Sequence, residues 1–142
     1  MNDFKSIPEG FEPIKSSSQF GGRNGPVYEK TLAGEDDGWV RGFLAEDKHC
    51  NAAGIVHGGM LMTFADIFLS RAVMEVADPP FVTLRMGCDF VSPAFNGCWI
   101  EGRAQVTKRG REIIFLEGQI TSRDKTVMNV TGQFKLLRPR KG

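Results

Sequence analysis

The residues whose types and spacing could do chemistry lie between Asn51 and Asp66. The chain reads NAAGIVHGG over residues 51–59, and a long apolar run follows. Gly58 and Gly59 stand where this run begins, so their backbone N–H groups would lack partners inside a helix that starts there. Neither donor carries a Cβ that would keep a ligand away, and both lie at the positive end of the helix dipole. The pattern predicts a site for an oxygen that gains negative charge.

A carboxylate supplies the complementary chemistry. Four small or polar residues line up on one face of the predicted helix, at positions i, i+4, i+7 and i+11: Gly59, Thr63, Asp66 and Ser70. Asp66 is the only ionisable group in this line, and a carboxylate on a core helix is costly unless it is paired or used. A functional role and a hydrogen bond across a subunit interface are the two interpretations of Asp66.

The spacing between the two groups has a consequence for assembly. Gly58 and Asp66 are eight residues apart, which is about 12 Å along a helix at about 1.5 Å per residue. One small reacting group cannot touch both within the same helix. If both serve one reaction, they come from two chains, and antiparallel helices in a symmetric dimer would bring them together twice. We therefore predict a composite site at a dimer interface.

The element that carries these residues is predicted to be a long buried helix. No residue from Met60 to Ala77 breaks a helix, and the run is apolar nearly all round, which is typical of a core helix. Pro79 and Pro80 would stop it. The expected length is roughly 18–20 residues, about 30 Å.

The flanking segments alternate apolar and polar residues with the period of a strand. Residues 27–33 and 38–45 predict two strands joined by a Glu-Asp-Asp turn at residues 35–37. Four more strands follow the helix, and short turns between them require antiparallel pairing. In the first of these strands the expected apolar face is Val82, Leu84, Met86, Cys88 and Phe90. The fold class is α+β, with a six-stranded antiparallel sheet wrapped around a central helix.

Composition fits one domain of a soluble globular protein. The chain has 142 residues, of which 41% are hydrophobic and 25% charged. We expect an irregular N-terminal arm at residues 1–25, a single domain at 26–138 and a frayed tail at 139–142. A net charge of +1 gives no electrostatic case for a nucleic-acid or membrane partner.

Three cysteines, Cys50, Cys88 and Cys98, are odd in number and lack metal-binding spacing. We interpret them as reduced thiols, and the start of the chain has no apolar signal region. The expected localisation is therefore cytoplasmic.

These features together resemble a known family. A core helix wrapped by a meandering antiparallel sheet is similar to the hot-dog fold. The pattern N-x-x-G-x-x-H-G-G at residues 51–59, followed by Asp66, resembles the PaaI-like (phenylacetate-pathway) acyl-CoA thioesterases, as does FVSPA at residues 90–94. The similarity covers about residues 25–137.

The resemblance implies roles for five catalytic residues. Asp66 would activate a water as general base, or attack the thioester as nucleophile. The Gly58 N–H would polarise the thioester carbonyl, which is an oxyanion-hole role. Asn51 and His57 would orient the carbonyl or the water, and Thr83 would hold the water near Asp66. His57 could instead be a capping residue, and Asn51 a turn residue.

The same resemblance implies the substrate and the assembly. Gly59 and Thr63 would bind an acyl-CoA substrate, and the enzyme would be a homodimer or homotetramer with active sites at the dimer interface. Thioester hydrolysis needs a base and an oxyanion donor, so no cofactor and no metal are expected.

Thr83 is the one implied catalytic residue that the strand pattern does not favour, because alternation turns its side chain away from the face of Val82 and Leu84.

Two other functions stay open at the level of the sequence. A hot-dog hydratase would use a His with a carboxylate, but His49 and His57 do not stand in the Asp-x(4)-His arrangement usual for such enzymes. A non-catalytic acyl-CoA or fatty-acid-binding module is the other alternative. The presence of Asp66 together with Asn51 and the glycines argues against it.

The sequence does not identify the acyl group. Five basic residues could meet the phosphates of coenzyme A or could be solvated turn charges: Arg85, Arg109, Arg111, Arg123 and Lys125.

Overall fold

One antiparallel sheet packs against one long helix in the computed structural model, which describes residues 6–33 and 38–138. The elements in chain order are β1 (Glu12–Pro13), α1 (Gln19–Asn24), β2 (Tyr28–Leu32), β3 (Gly38–Leu44), a 3₁₀ turn (Asp47–His49), α2 (Gly58–Val73), β4 (Phe81–Phe90), β5 (Trp99–Arg109), β6 (Ile113–Ser122) and β7 (Lys125–Leu136). The strands lie in the order β1-β2-β3-β5-β6-β7-β4. This arrangement confirms the predicted α+β architecture.

The sheet has one strand more than expected within the described residues. β1 contains only Glu12 and Pro13 and pairs with β2. It belongs to the arm that was predicted to be irregular, and the arm also forms the short helix α1. The predicted turn at residues 35–37 and the tail at residues 139–142 lie outside the described residues.

Helix α2 begins where the glycines predict but ends earlier than the prolines predict. It spans 16 residues rather than the expected 18–20. After Val73 the backbone N–H groups of Val76 and Ala77 both bond to the Val73 carbonyl, so the chain leaves the helix in a tight turn. The helix therefore stops before Pro79 can act on it. No helix in the described ranges is long and apolar enough to cross a membrane.

The core lies between α2 and the inner face of the sheet. Phe64, Phe68 and Leu69 are fully buried against the strands. Gly118 on β6 lets the helix approach, because a Cβ there would lie only 2.9 Å from the Phe68 ring. The alternation predicted for β5, β6 and β7 is confirmed by burial of Ile100, Ile114, Leu116, Ile120, Met128, Val130 and Phe134.

The first half of β4 differs from the predicted alternation. Val82 and Leu84 were expected to face the core, but they are 43% and 49% exposed. The pairing of β4 with β7 shifts between Thr83 and Arg85, so Leu84 is the extra residue of a β-bulge. Thr83 pairs with the buried Phe134 and shares its helix-facing side. The bulge has exchanged the two faces at this end of the strand.

Candidate active site

Asp66 and Thr83 lie in direct contact. The Thr83 hydroxyl donates a hydrogen bond of 2.7 Å to Asp66 Oδ1. Asp66 is half-buried in the middle of α2, and the bulge at Leu84 turns Thr83 toward it. This bond fixes one carboxylate oxygen. Oδ2 has no hydrogen-bond partner among the described residues, so it is the oxygen that can accept a proton from water or attack a carbonyl carbon.

His57 caps the start of α2. Its Nδ1 accepts the Gly59 N–H at 3.0 Å, and its carbonyl oxygen accepts the N–H groups of Met60 and Leu61 at 2.9 and 3.2 Å. In the described part of the chain, Gly58 is then the residue of the first turn whose N–H has no partner. The sequence predicted two free glycine donors, and the cap leaves one. This N–H points along the helix dipole and is suited to a developing oxyanion.

The two residues predicted to bind substrate contact each other. The Thr63 hydroxyl donates to the Gly59 carbonyl at 2.9 Å, and the Gly59 N–H is taken by His57. Only the lone pairs of the Thr63 oxygen remain for a ligand. Ser70 likewise donates to the Asp66 carbonyl at 2.8 Å, so both hydroxyls of the polar line bond back to the helix.

Asn51 closes the loop that leads to α2. Its side-chain oxygen accepts the N–H groups of Ala53 and Ile55 at 2.9 and 3.1 Å. The loop turns at Gly54, whose φ of 77° lies in the left-handed region that glycine favours. Asn51 is exposed, and its amide NH2 is the group that it can offer to a carbonyl.

His49 anchors this loop, although no feature of the sequence predicted a part for it in the site. It is buried, with Nδ1 accepting the Glu46 N–H at 3.0 Å. Nε2 must therefore carry the proton, and it donates to the Asn24 carbonyl at 2.7 Å. The His49 carbonyl accepts the His57 N–H at 2.9 Å. His49 thus joins the N-terminal arm to the residue that caps α2.

Phe90 is a second neighbour of the site. It lies on the predicted face of β4, opposite the buried Met128, but it is 55% exposed because it stands at the end of the strand. A Cβ at Gly58 would lie 3.4 Å from the Phe90 ring, so this aromatic ring borders the free N–H donor. The pattern gave no signal for this contact, because alternation predicts the face of a residue and not its neighbours.

Cys50 and Cys88 lie near the site but are not activated. Burial raises the pKa of the Cys50 thiol, and the charge of Asp47 raises it further. Burial and Asp89 act in the same direction on the pKa of Cys88. Both remain neutral thiols at neutral pH. No cluster of three metal-ligating side chains occurs in residues 6–33 and 38–138.

Comparison with known proteins identifies the family of this chain. The sequence profile of the Thioesterase superfamily matches residues 53–129, and this chain belongs to that superfamily. It is a thioester hydrolase with the hot-dog fold of the PaaI-like branch, so the predicted fold and enzyme class are confirmed.

Three relatives illustrate the similarity. A Pseudomonas aeruginosa protein named "Putative esterase" is 33% identical over 133 residues, 92% of this chain and 98% of that protein. Human acyl-coenzyme A thioesterase 13 is 32% identical over 79 residues, 55% of this chain and 56% of that protein. The phenylacetic acid degradation protein PaaI of Thermus thermophilus, solved as a mutant, superposes with a TM-score of 0.72 at 25% identity, covering 84% of this chain and 100% of the other.

Proposed function

We propose that this protein hydrolyses acyl-coenzyme A thioesters to the free acid and coenzyme A. The observation that carries the proposal is the hydrogen bond from the Thr83 hydroxyl to Asp66 Oδ1. Asp66 lies in α2, and the first N–H of that helix, from Gly58, is free. A carboxylate and an oxyanion donor are what thioester hydrolysis requires. The similarity to acyl-coenzyme A thioesterase 13 supports coenzyme A as the thiol part of the substrate.

The site is composed of two chains. Gly58 and Asp66 both lie in α2, eight residues and therefore about 12 Å apart. A second copy with its helix antiparallel brings its Gly58 N–H to Asp66 of the first copy, and the two-fold axis repeats the site. A homodimer is the smallest assembly with a complete site, and a homotetramer contains two such dimers.

The free edge of the sheet supports this dimer. β4 is the last strand in the sheet order and has ten residues, so its outer edge presents unpaired backbone groups. Exposed apolar side chains accompany it, among them Val82, Leu84, Phe90 and Val91. Pairing of β4 with β4 of the second copy covers the unpaired backbone groups and the exposed apolar side chains, and it sets the two α2 helices side by side.

In the mechanism, Asp66 Oδ2 acts on the thioester carbonyl, either through a water whose proton it takes or by direct attack. The new C–O bond forms while the carbonyl oxygen becomes an oxyanion, which the Gly58 N–H of the other copy stabilises. The C–S bond then breaks, the carbonyl re-forms, and the thiolate of coenzyme A takes up the proton that Asp66 removed from the water. With direct attack, the thiolate leaves first, water then hydrolyses the resulting anhydride, and the proton released from that water goes to the thiolate. The Asn51 amide and His57 Nε2 orient the carbonyl or the water.

The test is Asp66→Asn, which keeps the shape of the side chain and removes the base. We expect kcat for an acyl-CoA to fall by at least about 10²-fold, a typical contribution of a general base. Ser70→Ala is the matched control, because Ser70 lies on the same helix face and bonds only to the backbone. Near-normal turnover by a folded Asp66→Asn enzyme would remove Asp66 from the mechanism.

A further inference from the structure

The end of the sheet that carries Thr83 is strongly basic. Six exposed cations gather there, on β4, β7 and the β5–β6 hairpin: Arg85, Lys108, Arg109, Arg111, Lys135 and Arg138. None of them forms an ion pair with a described residue. The neighbouring carboxylates are Asp78, Glu112 and Glu117. This end therefore keeps a surplus of positive charge, although the whole chain has a net charge of only +1.

One of the six has a structural task. The Arg109 guanidinium donates to the carbonyls of Gly110 and Arg111 in its own turn. The side chains of the other five have no hydrogen bond to a described residue. Arg85, Lys108, Arg111, Lys135 and Arg138 are hereafter the basic rim.

Strand register places two rim residues beside an aromatic ring. Arg85 pairs with Gln133, which pairs with Phe115, which pairs with Lys108. These four residues form one row across β4, β7, β6 and β5 on the outer face of the sheet. The row lies within two residues of Thr83 along β4, at the same end of the strands.

A groove of about 170 Å³ is lined by three residues of this row, Arg85, Gln133 and Phe115. Lys108 lies beside Phe115 at the end of the groove. The half-buried Phe115 lies in it, and its polar lining includes Thr107, Thr131 and Gln133. Glu117 also lines the groove, and its carboxylate accepts a hydrogen bond from the Gln105 amide at 2.7 Å. The Arg85 guanidinium lies over Gly87, where a Cβ would be 3.4 Å from its Nη1. An aromatic surface flanked by unpaired cations is suited to a nucleotide, because a base stacks on the ring and phosphates bind the cations.

We propose that this groove and the basic rim bind the nucleotide end of the coenzyme A substrate, with the adenine against Phe115 and the phosphates on Arg85, Lys108 and their neighbours. The proposal rests on the proposed function. β4 and β5 are three strand spacings apart, about 14 Å at about 4.8 Å each. The extended pantetheine arm between thioester and pyrophosphate is of comparable length, so it can pass over the strand ends from Thr83 to the rim.

The β6–β7 turn is the competing basic site. Lys125 precedes Phe134, the partner of Thr83, by nine residues, which is about 30 Å along β7 at about 3.3 Å per residue. In the proposed dimer, however, this turn of the second copy approaches the same end of the sheet. Its two cations, Arg123 and Lys125, flank Asp124, so it has a smaller surplus of charge than the rim.

Binding of adenosine 3′,5′-bisphosphate, which has the adenine and 3′-phosphate of coenzyme A but no thioester, tests the site without catalysis. We expect calorimetry on the Arg85→Gln/Lys108→Gln double variant to give a Kd at least about tenfold weaker than the wild type, because two charge-assisted contacts to phosphate are lost. Phe115→Leu should weaken binding as well. Arg123→Gln/Lys125→Gln also removes two exposed turn charges and should bind like the wild type.

Kinetics provide the second measurement. The ratio of kcat/KM for an acyl-CoA to that for the same acyl group on N-acetylcysteamine should fall about tenfold in the Arg85/Lys108 variant and stay at the wild-type value in the Arg123/Lys125 variant. A Kd and a ratio unchanged by the rim variant, or an equal or larger loss in the β6–β7 variant, would overturn the proposal. If no thioester is hydrolysed at all, the proposed function fails, while the calorimetry still decides whether the groove binds the nucleotide.

Discussion

At the scale of single residues, the bond from Thr83 to Asp66 decides which carboxylate oxygen is available for chemistry. The hydroxyl occupies Oδ1, so the free Oδ2 is oriented instead of rotating. A hydrogen bond to a charged acceptor contributes about 1.5–3 kcal/mol. Its loss should therefore be visible in turnover.

Thr83→Val keeps the shape of the side chain and removes the donor. We expect kcat for an acyl-CoA to fall about tenfold or more, in keeping with the loss of a bond to a charged group. Thr83→Ser retains the hydroxyl and should stay within about threefold of the wild type. Equal turnover by Thr83→Val and the wild type in steady-state kinetics would show that the bond has no part in the reaction.

The sequence predicted Asp66 from its place in a polar line, but it argued against Thr83. Strict alternation turns Thr83 away from the core face, and only the family resemblance suggested a role. The reason is the bulge at Leu84, since neither a glycine nor a proline marks it in the pattern. Capping was the alternative role predicted for His57, but the sequence did not show which glycine N–H the cap would occupy, because that depends on the orientation of the His57 ring.

At the scale of elements, the start of α2 combines a cap and a candidate catalytic group in His57. Removing the Nδ1 acceptor with His57→Ala leaves the Gly59 N–H without its partner. We expect a loss of about 1 kcal/mol in the free energy of unfolding, a typical effect of losing an N-cap, measured by denaturant titration.

His57→Asn separates the two roles, because Asn is a strong N-cap residue but has no imidazole. It should restore most of the stability. If His57 orients the thioester or the water, the stable Asn variant remains slow in acyl-CoA hydrolysis. Recovery of both stability and kcat would reduce His57 to a capping residue.

Elements were predictable where one physical rule dominates. The glycine pair marked the start of α2, and alternation located β5, β6 and β7. The predicted end of α2 was wrong, because the turn after Val73 depends on local backbone hydrogen bonds that no helix-breaking residue signals. The same holds for the arm, where α1 is a six-residue helix with no buried residue and therefore no apolar period to read.

At the scale of the whole molecule, the two edges of the sheet differ. One edge ends in β1, a strand of two residues, and such a short edge gives little backbone for further pairing. The other edge is β4, with ten residues and exposed apolar side chains. Growth of the sheet through β4 is thus favoured, and it is this pairing that sets the helices of two copies in contact.

A two-fold axis between antiparallel helices fixes which residues meet. If position 58 of one copy faces position 66 of the other, paired positions add up to 124, and position 62 faces itself. Met62 is 40% exposed and lies on the helix face between Gly58 and Asp66. Packed helices are about 8–10 Å apart between axes, which brings facing Cα atoms within the range of about 4.4–6.8 Å that a disulfide spans.

Met62→Cys should therefore form a disulfide between two copies under mild oxidation, seen as a dimer on a non-reducing gel that returns to monomer with thiol. Ser70→Cys is the matched control on the same helix. Two copies of residue 70 would lie sixteen positions apart along the helix pair, about 24 Å at about 1.5 Å per residue, so they cannot join. The wild type gives the background of Cys50, Cys88 and Cys98. Cross-linking through Ser70→Cys and not through Met62→Cys would contradict the composite site, because the Gly58 N–H of one copy would then lie far from Asp66 of the other.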